Sequence, residues 1–209
     1  GTAGGAQKNL ANSLGEGDEL WIRFKARFDI GFLFNAGAGF KFLRSRIESG
    51  AGAHLGYLDW YNASDRYAGN AWYYRNEPRA GQNTELGDFS TQNIDAGNWH
   101  TYEMYIKLHS NPVEGVVRVW RDESIMLNIT DNTIQASTDK LSRFHLCTFF
   151  NPSPSGESFN PADSSVAVNA NAASGAPQQQ NYQVDDLLVF TNASPPTNTD
   201  AGGNVFIGA

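Results

Sequence analysis

The sequence offers almost no sulfur chemistry, with one cysteine, Cys147, and two methionines in 209 residues. A single thiol closes no intrachain disulfide, and within Leu146-Cys147-Thr148-Phe149-Phe150 it reads as a small buried hydrophobe. A chain this long buries enough surface to fold without such a staple. Charge is scarce as well, at 18%, which argues against a helical bundle rich in Glu and Lys. No apolar run approaches the ~18 residues of a membrane span, and no signal-peptide pattern is present. The start at Gly1-Thr2-Ala3-Gly4-Gly5 reads as that of a fragment or a processed product. Basic residues number 15 against 22 acids, a formal charge of −7, whereas a general nucleic-acid binder carries a basic surplus. An acidic polysaccharide stays open as a partner, because a local basic cleft can sit on an acidic protein. His54, His100, His109 and His145 lack metal-ligand spacing, so no zinc site is expected. A serine–histidine nucleophile pair, a P-loop and a Rossmann turn are absent too.

What the chain does contain is aromatic residues (12%), 21 glycines, and many Asn, Ser and Thr between short apolar runs. Leu20, Ile22, Phe24, Ala26 and Phe28 alternate with Trp21, Arg23, Lys25 and Arg27, the period of a half-buried strand. The same alternation returns from Trp99 to Leu108, with His100, Tyr102, Met104, Ile106 and Leu108 on one face. Further strands are expected at 40–47, 55–61, 71–75, 116–120, 125–129, 143–150 and 182–190. About ten strands without intervening helices predict an all-β fold, a two-sheet antiparallel jelly roll. The domain is expected over 19–192. Residues 1–18 form an approach segment, the Asn-, Ala-, Ser- and Pro-rich stretch 151–181 a long loop, and 193–209 a linker and tail carrying Val205-Phe206-Ile207.

Three segments in order resemble the concanavalin A-like jelly rolls of polysaccharide lyases acting on alginate and glucuronan. They are Glu19 to Phe28 followed by a glycine-rich turn and Lys41; Trp99 to Lys107 followed by Val117 to Asp122; and Thr148-Phe149-Phe150, a long loop, then Val184 to Val189. The resemblance covers about residues 19–190, and laminin-G-like and lectin-like domains share the pattern without catalysis. It implies β-elimination, in which a lysine or arginine neutralises the uronate carboxylate while a tyrosine or histidine handles the C5 proton and leaving oxygen. On that basis Lys41, Arg46, Tyr57 and Tyr74 are the catalytic candidates, with Tyr73 beside them. The surroundings of Lys41 depart from the family, since Phe40 stands for a glycine and the following proline is missing, so the catalytic pattern is degraded.

Tyr57, Asp59 and Tyr61 alternate onto one strand face, opposite Leu58 and Trp60, and are expected to form a sugar platform. Trp72, Tyr74 and Arg75 are the second set of ligand-binding candidates. Lys41 is expected to oppose Arg44 and Arg46, and Arg23, Lys25 and Arg27 to form an exposed stripe paired with acids such as Glu103. Asp185-Asp186 is the candidate calcium site, with no other cofactor expected. Asn62, Asn128 and Asn192 begin N-glycosylation sequons. Three functions follow. The first is a non-catalytic carbohydrate-recognition or adhesion module of a larger extracellular, cell-surface or virion protein. The second is a uronate polysaccharide lyase. The third is a structural decoration or assembly domain of a phage or virus particle, meeting neighbouring subunits through loop 151–181 and the C-terminal tail.

Overall fold

A strand has only two faces, so the apolar alternation of Leu20 to Phe28 must lie against a second layer. The computed structural model supplies that layer. It describes residues 6–30, 40–63, 71–76, 84–88, 97–150 and 182–192, with the backbone alone at 6, 40, 41, 60–63, 71–73, 75, 84–88 and 147–150. Among these residues there are eleven strands and no helix: β1 Ala6–Leu14, β2 Glu19–Phe28, β3 Phe40–Glu48, β4 His54–Ala63, β5 Ala71–Asn76, β6 Thr84–Asp88, β7 His100–Lys107, β8 Val116–Arg121, β9 Ser124–Thr130, β10 Lys140–Phe150 and β11 Tyr182–Thr191. They pair into a six-stranded sheet, β1-β10-β3-β4-β5-β6, and a five-stranded sheet, β11-β2-β7-β8-β9. Every pairing is antiparallel, and the long crossovers β1–β10 and β2–β11 tie the two ends of the chain into different sheets, as in a jelly roll.

The inward faces meet in one core. The five-stranded sheet contributes Leu20, Ile22, Phe24, Phe28, Tyr102, Met104, Ile106, Val117 and Val119, and the six-stranded sheet Phe42, Leu43, Ile47, Leu58, Tyr74, Leu141, Phe144 and Leu146. Aromatic rings join the layers. Phe42 lies 5.3 Å from Phe24 and 4.9 Å, edge-on, from Tyr102. Such geometry adds roughly 0.5–1.5 kcal/mol per pair beyond the buried area.

The structure adds two strands to those expected from the sequence. Residues 6–14, read as an approach segment, are β1, and residues 84–88, outside the expected strands, are β6. Both are edge strands of the six-stranded sheet. An edge strand has fewer neighbours and needs no clean apolar period, so its sequence is polar. Loop 151–181, the tail 193–209 and the side chain of Cys147 lie outside the described residues.

Between β7 and β8, Gly115 packs against the backbone that leaves β9. A Cβ at Gly115 would stand 2.1 Å from the carbonyl oxygen of Asp131. Gly115→Ala is therefore expected to lower the unfolding free energy by about 1–3 kcal/mol. Urea titration checks this, and an unchanged midpoint would contradict the close approach.

Candidate functional site

The side of the six-stranded sheet that faces away from the core carries rungs of polar residues running across β10, β3 and β4. Register places His145 beside Arg44, Arg44 beside Asp59, and Asp59 beside Arg75. One step along, Arg143 pairs with Arg46, and Arg46 with Tyr57. The opposite parity on these strands is Ser45, Ile47, Leu58 and Phe144, all buried. The core therefore forces Arg44, Arg46, Tyr57, Asp59, Arg143 and His145 onto a single face.

Asp59 is fully buried and Arg44 only 5% exposed. The Nε of Arg44 donates to Asp59 Oδ1 at 2.7 Å. The guanidinium lies 3.6 Å from the centre of the Tyr57 ring. Arg44 is thus clamped between a carboxylate below and an aromatic face, an arrangement that suits the planar guanidinium and not a lysine. Glu48 takes the same part for the next rung, with its Oε1 2.8 Å from Arg46 Nε and 3.7 Å from Arg143 Nη2. Both of these arginines keep about a quarter of their side chains open to solvent.

Tyr57 is flanked edge-on by two imidazoles, His54 at 4.8 Å and His145 at 5.7 Å. Burial, and then the nearby charges of Arg44, Arg143 and Arg46, push His145 down from 6.5 to about 4. It is a neutral imidazole through the neutral pH range. Its Nε2 is enclosed and meets no hydrogen-bond partner among the described residues. Among the described side chains, the face therefore offers three cations, two internal carboxylates, a phenol and an uncharged proton acceptor. This set can hold an anionic ligand and can exchange protons with it.

The sequence-derived candidates divide by register. Arg46 and Tyr57 lie on this face. Asp59 lies on it too, but buried as the counter-ion of Arg44 rather than exposed as an acceptor for sugar hydroxyls. Lys41 pairs with Tyr61 and Leu43 with Trp60, so β3 holds one extra residue, Phe42, between them. This bulge brings Lys41 into the rung parity of Arg44 and Arg46, correcting the expectation that it opposes them. Tyr61 and Arg75 fall at the same parity, while Trp72 falls at that of Tyr74. The side chains of Lys41, Tyr61, Trp72, Tyr73 and Arg75 lie outside those described. Tyr74 is corrected outright. It is completely buried in the core cluster, because its strand parity matches Leu58 rather than Asp59, and it can neither bind a sugar nor act as acid or base.

His145 and Arg143 were missed as site residues, since β10 reads as an apolar strand in which a lone histidine and arginine look incidental. The signal was parity, for both stand opposite Phe144 and Leu146. On the other sheet, Arg23 meets Glu103 at 3.8 Å, and Lys25 meets Asp186 at 2.6 Å. That ion pair occupies a carboxylate of the candidate calcium pair, and no group of three ligating side chains forms among the described residues. A cavity of about 450 Å³ lies between β1 and β11, lined by Leu10, Leu14, Phe144, Leu146, Leu187 and Val189. Its described lining includes no arginine, histidine or tyrosine.

No protein-family model matches the chain, and neither does any curated protein sequence. Solved structures do match. An endo-β-1,4-glucuronan lyase from Trichoderma reesei superposes with a TM-score of 0.56 at 14% identity, over 90% of this chain and 74% of that one. The alginate lyase Aly36B superposes with a TM-score of 0.59 at 11% identity, over 88% and 72%. A double alanine variant of Aly36B in complex with an alginate tetrasaccharide gives 0.56 at 14%, again over 88% and 72%. At such identities the likeness establishes a shared fold, the jelly roll of polysaccharide lyases.

Two outcomes follow from this geometry. Asp59→Ala leaves Arg44 buried without its counter-ion and is expected to cost about 3–5 kcal/mol of stability, measured by urea unfolding. The second concerns pH. His145 binds its proton less readily folded than unfolded, so the unfolded state gains on the native one as pH falls from about 6.5 towards 4. His145→Gln removes that proton, so its stability should gain on the wild type across this window while the gap stays constant above it. Parallel pH profiles would mean that the imidazole titrates freely.

Proposed function

We propose that this protein is a carbohydrate-recognition module that holds an acidic polysaccharide against the outward face of β10, β3 and β4. One observation carries the reading. Arg46 and Arg143 sit side by side on adjacent strands, part exposed, next to the Tyr57 ring and with Arg44 fixed beneath it. Guanidinium groups bind carboxylates in fork geometry, and an aromatic ring packs on the C–H face of a sugar. The named ligands of the structural neighbours, glucuronan and alginate, are polymers of this acidic class and support it. Polymers of this kind are met outside the cell, which fits a module working extracellularly, at a cell surface or on a virion. No helix among the described residues is long and apolar enough to cross a membrane.

Binding is the leading reading because the described cations are already held by carboxylates of the protein, Arg44 by Asp59 and Arg46 with Arg143 by Glu48. That arrangement preorganises them for recognition and weakens the positive charge available to acidify a sugar C–H. A second reading, β-elimination, is favoured by the neutral His145 next to Tyr57. In such a reaction Arg46 offsets the uronate carboxylate. His145 takes the proton from C5, the electrons form the C4–C5 double bond, and the C4–O bond breaks with a proton supplied by the Tyr57 hydroxyl.

Affinity measurements on alginate, glucuronan and a neutral β-glucan test the first reading. Only the acidic polymers should bind, more weakly in high salt, with Arg46→Ala and Arg143→Ala each costing about tenfold, or ~1.4 kcal/mol. Equal binding of the neutral glucan would sink it. Ultraviolet absorbance of the new conjugated double bond tests the second. A rise that Tyr57→Phe abolishes would establish a lyase, and a flat trace leaves recognition alone.

A further inference from the structure

The least explained group on this face is His145. Its imidazole sits in a nest of cations on a sheet that the reading above assigns to an anion, and its enclosed Nε2 has no hydrogen-bond partner among the described residues. The groups around it come from four strands. β3 brings Arg44 at its own rung and Arg46 at the next, with Glu48 beyond. β10 brings Arg143, two residues away. β4 brings the Tyr57 ring 5.7 Å from the imidazole, with Asp59 below and His54 on the far side of that ring. β1 brings the uncharged Gln7 at the same rung and Asn9 at the rung of Arg143, with Lys8 in the opposite parity.

Of these, Asp59 pairs with Arg44, and Glu48 lies between Arg46 and Arg143, so among the described residues the cations around the ring outnumber the anions. A carboxylate placed on Arg46 and Arg143 would reverse that local balance. We propose that the site takes up its anionic ligand together with one proton, which His145 accepts. The inference rests on the reading of this face as an acidic-polysaccharide site and adds its regulation: recognition tightens as the surroundings become acidic.

The physical route is linkage. In the free protein, burial and the three guanidinium groups hold the imidazole at about 4. A bound carboxylate opposes the guanidinium part of that shift, moving the group back towards its ordinary value of about 6.5. Between those limits the complex binds more protons than the free protein, so affinity rises as pH falls. If the bound group reaches about 6, affinity at about pH 5 exceeds that at about pH 8 by roughly tenfold. The uronate carboxylates themselves stay ionised over this range, since they titrate near the usual carboxylate values of roughly 3–4.

The experiment is calorimetric titration of the full chain with an alginate tetrasaccharide, in buffers of differing ionisation enthalpy, at pH values of about 5 and 8. The expected result is an uptake of about 0.8 proton per site at the lower pH and almost none at the higher, with the tenfold gain in affinity. His145→Gln and His145→Asn should each lose the uptake and the pH dependence, and His54→Gln should keep both. Binding by the wild type without proton uptake at the lower pH overturns the inference while leaving the site assignment standing, and this count needs no variant. Undiminished uptake in both His145 variants also overturns it, by assigning the proton to another group. Absence of binding by the wild type at both pH values removes the site assignment, and the inference with it.

Discussion

A side chain in a β-strand can point only two ways, and here the core makes the choice for β3, β4, β5 and β10 of the six-stranded sheet. Phe42, Ser45, Ile47, Leu58, Tyr74, Asn76, Phe144 and Leu146 go inward because the five-stranded sheet must be covered. What remains between them in the sequence has no option but the other face. The arginine nest is therefore as firmly positioned as the core, since shifting any rung by one residue would drive a guanidinium into Phe24 and its neighbours. Several bulges adjust this lattice without breaking it. One holds Phe42 on β3, and another lies on β10 between Leu141 and Arg143, where Ser142 has no partner in the register. Each of these two returns the next residues to the parity the core demands.

Within that lattice, the buried pair of Arg44 and Asp59 sets the character of the polar face. Neither charge could be left there alone, and a well-packed apolar pair in their place would be no less stable. What the pair supplies is orientation. The carboxylate fixes Nε, the Tyr57 ring fixes the guanidinium plane, and together they hold Arg44 on the same face of the sheet as Arg46 and Arg143. Glu48 does the same for those two more loosely, at the solvent boundary. Preorganised cations of this kind would lose little entropy if an anion arrived.

The parts of this structure legible in the sequence are those where burial on one side writes a period of two. β2 and β7, the neighbouring central strands of their sheet, show it from Leu20 to Phe28 and from His100 to Leu108, and both emerge as read. β1 and β6 do not, because edge strands are under no such demand, and their polar residues look like loop. The site follows the same logic. The placement of Tyr57 and Asp59 on one face was readable from alternation within β4. The burial of Asp59 was not, since it depends on Arg44 arriving from another strand. Lys41 was assigned the wrong register parity because a bulge is invisible to a period count. Tyr74 was mistaken for a surface aromatic because Trp72, Tyr73 and Tyr74 are interchangeable to composition and only register separates them. His145 required the pairing of β10 with β3, a contact across about a hundred residues that no local pattern encodes.

The electrostatics of the whole chain bear on how such a face could meet a polymer. With a formal charge of −7, the molecule as a whole repels an anionic chain, and salt screens that repulsion beyond about a Debye length. On the described polar face, attraction comes from Arg44, Arg46 and Arg143, where Asp59 and Glu48 already offset part of the charge. Long-range steering is therefore weak, and an acidic polymer would be held by short-range fork contacts and by packing on Tyr57. A proton taken up at His145 acts where it has most effect under these conditions. It adds a cation inside the nest, within reach of the ligand and poorly screened by solvent, without adding charge to the exposed surface. The same burial that makes the imidazole reluctant to protonate in the free protein makes its charge strong once a carboxylate is present to compensate it.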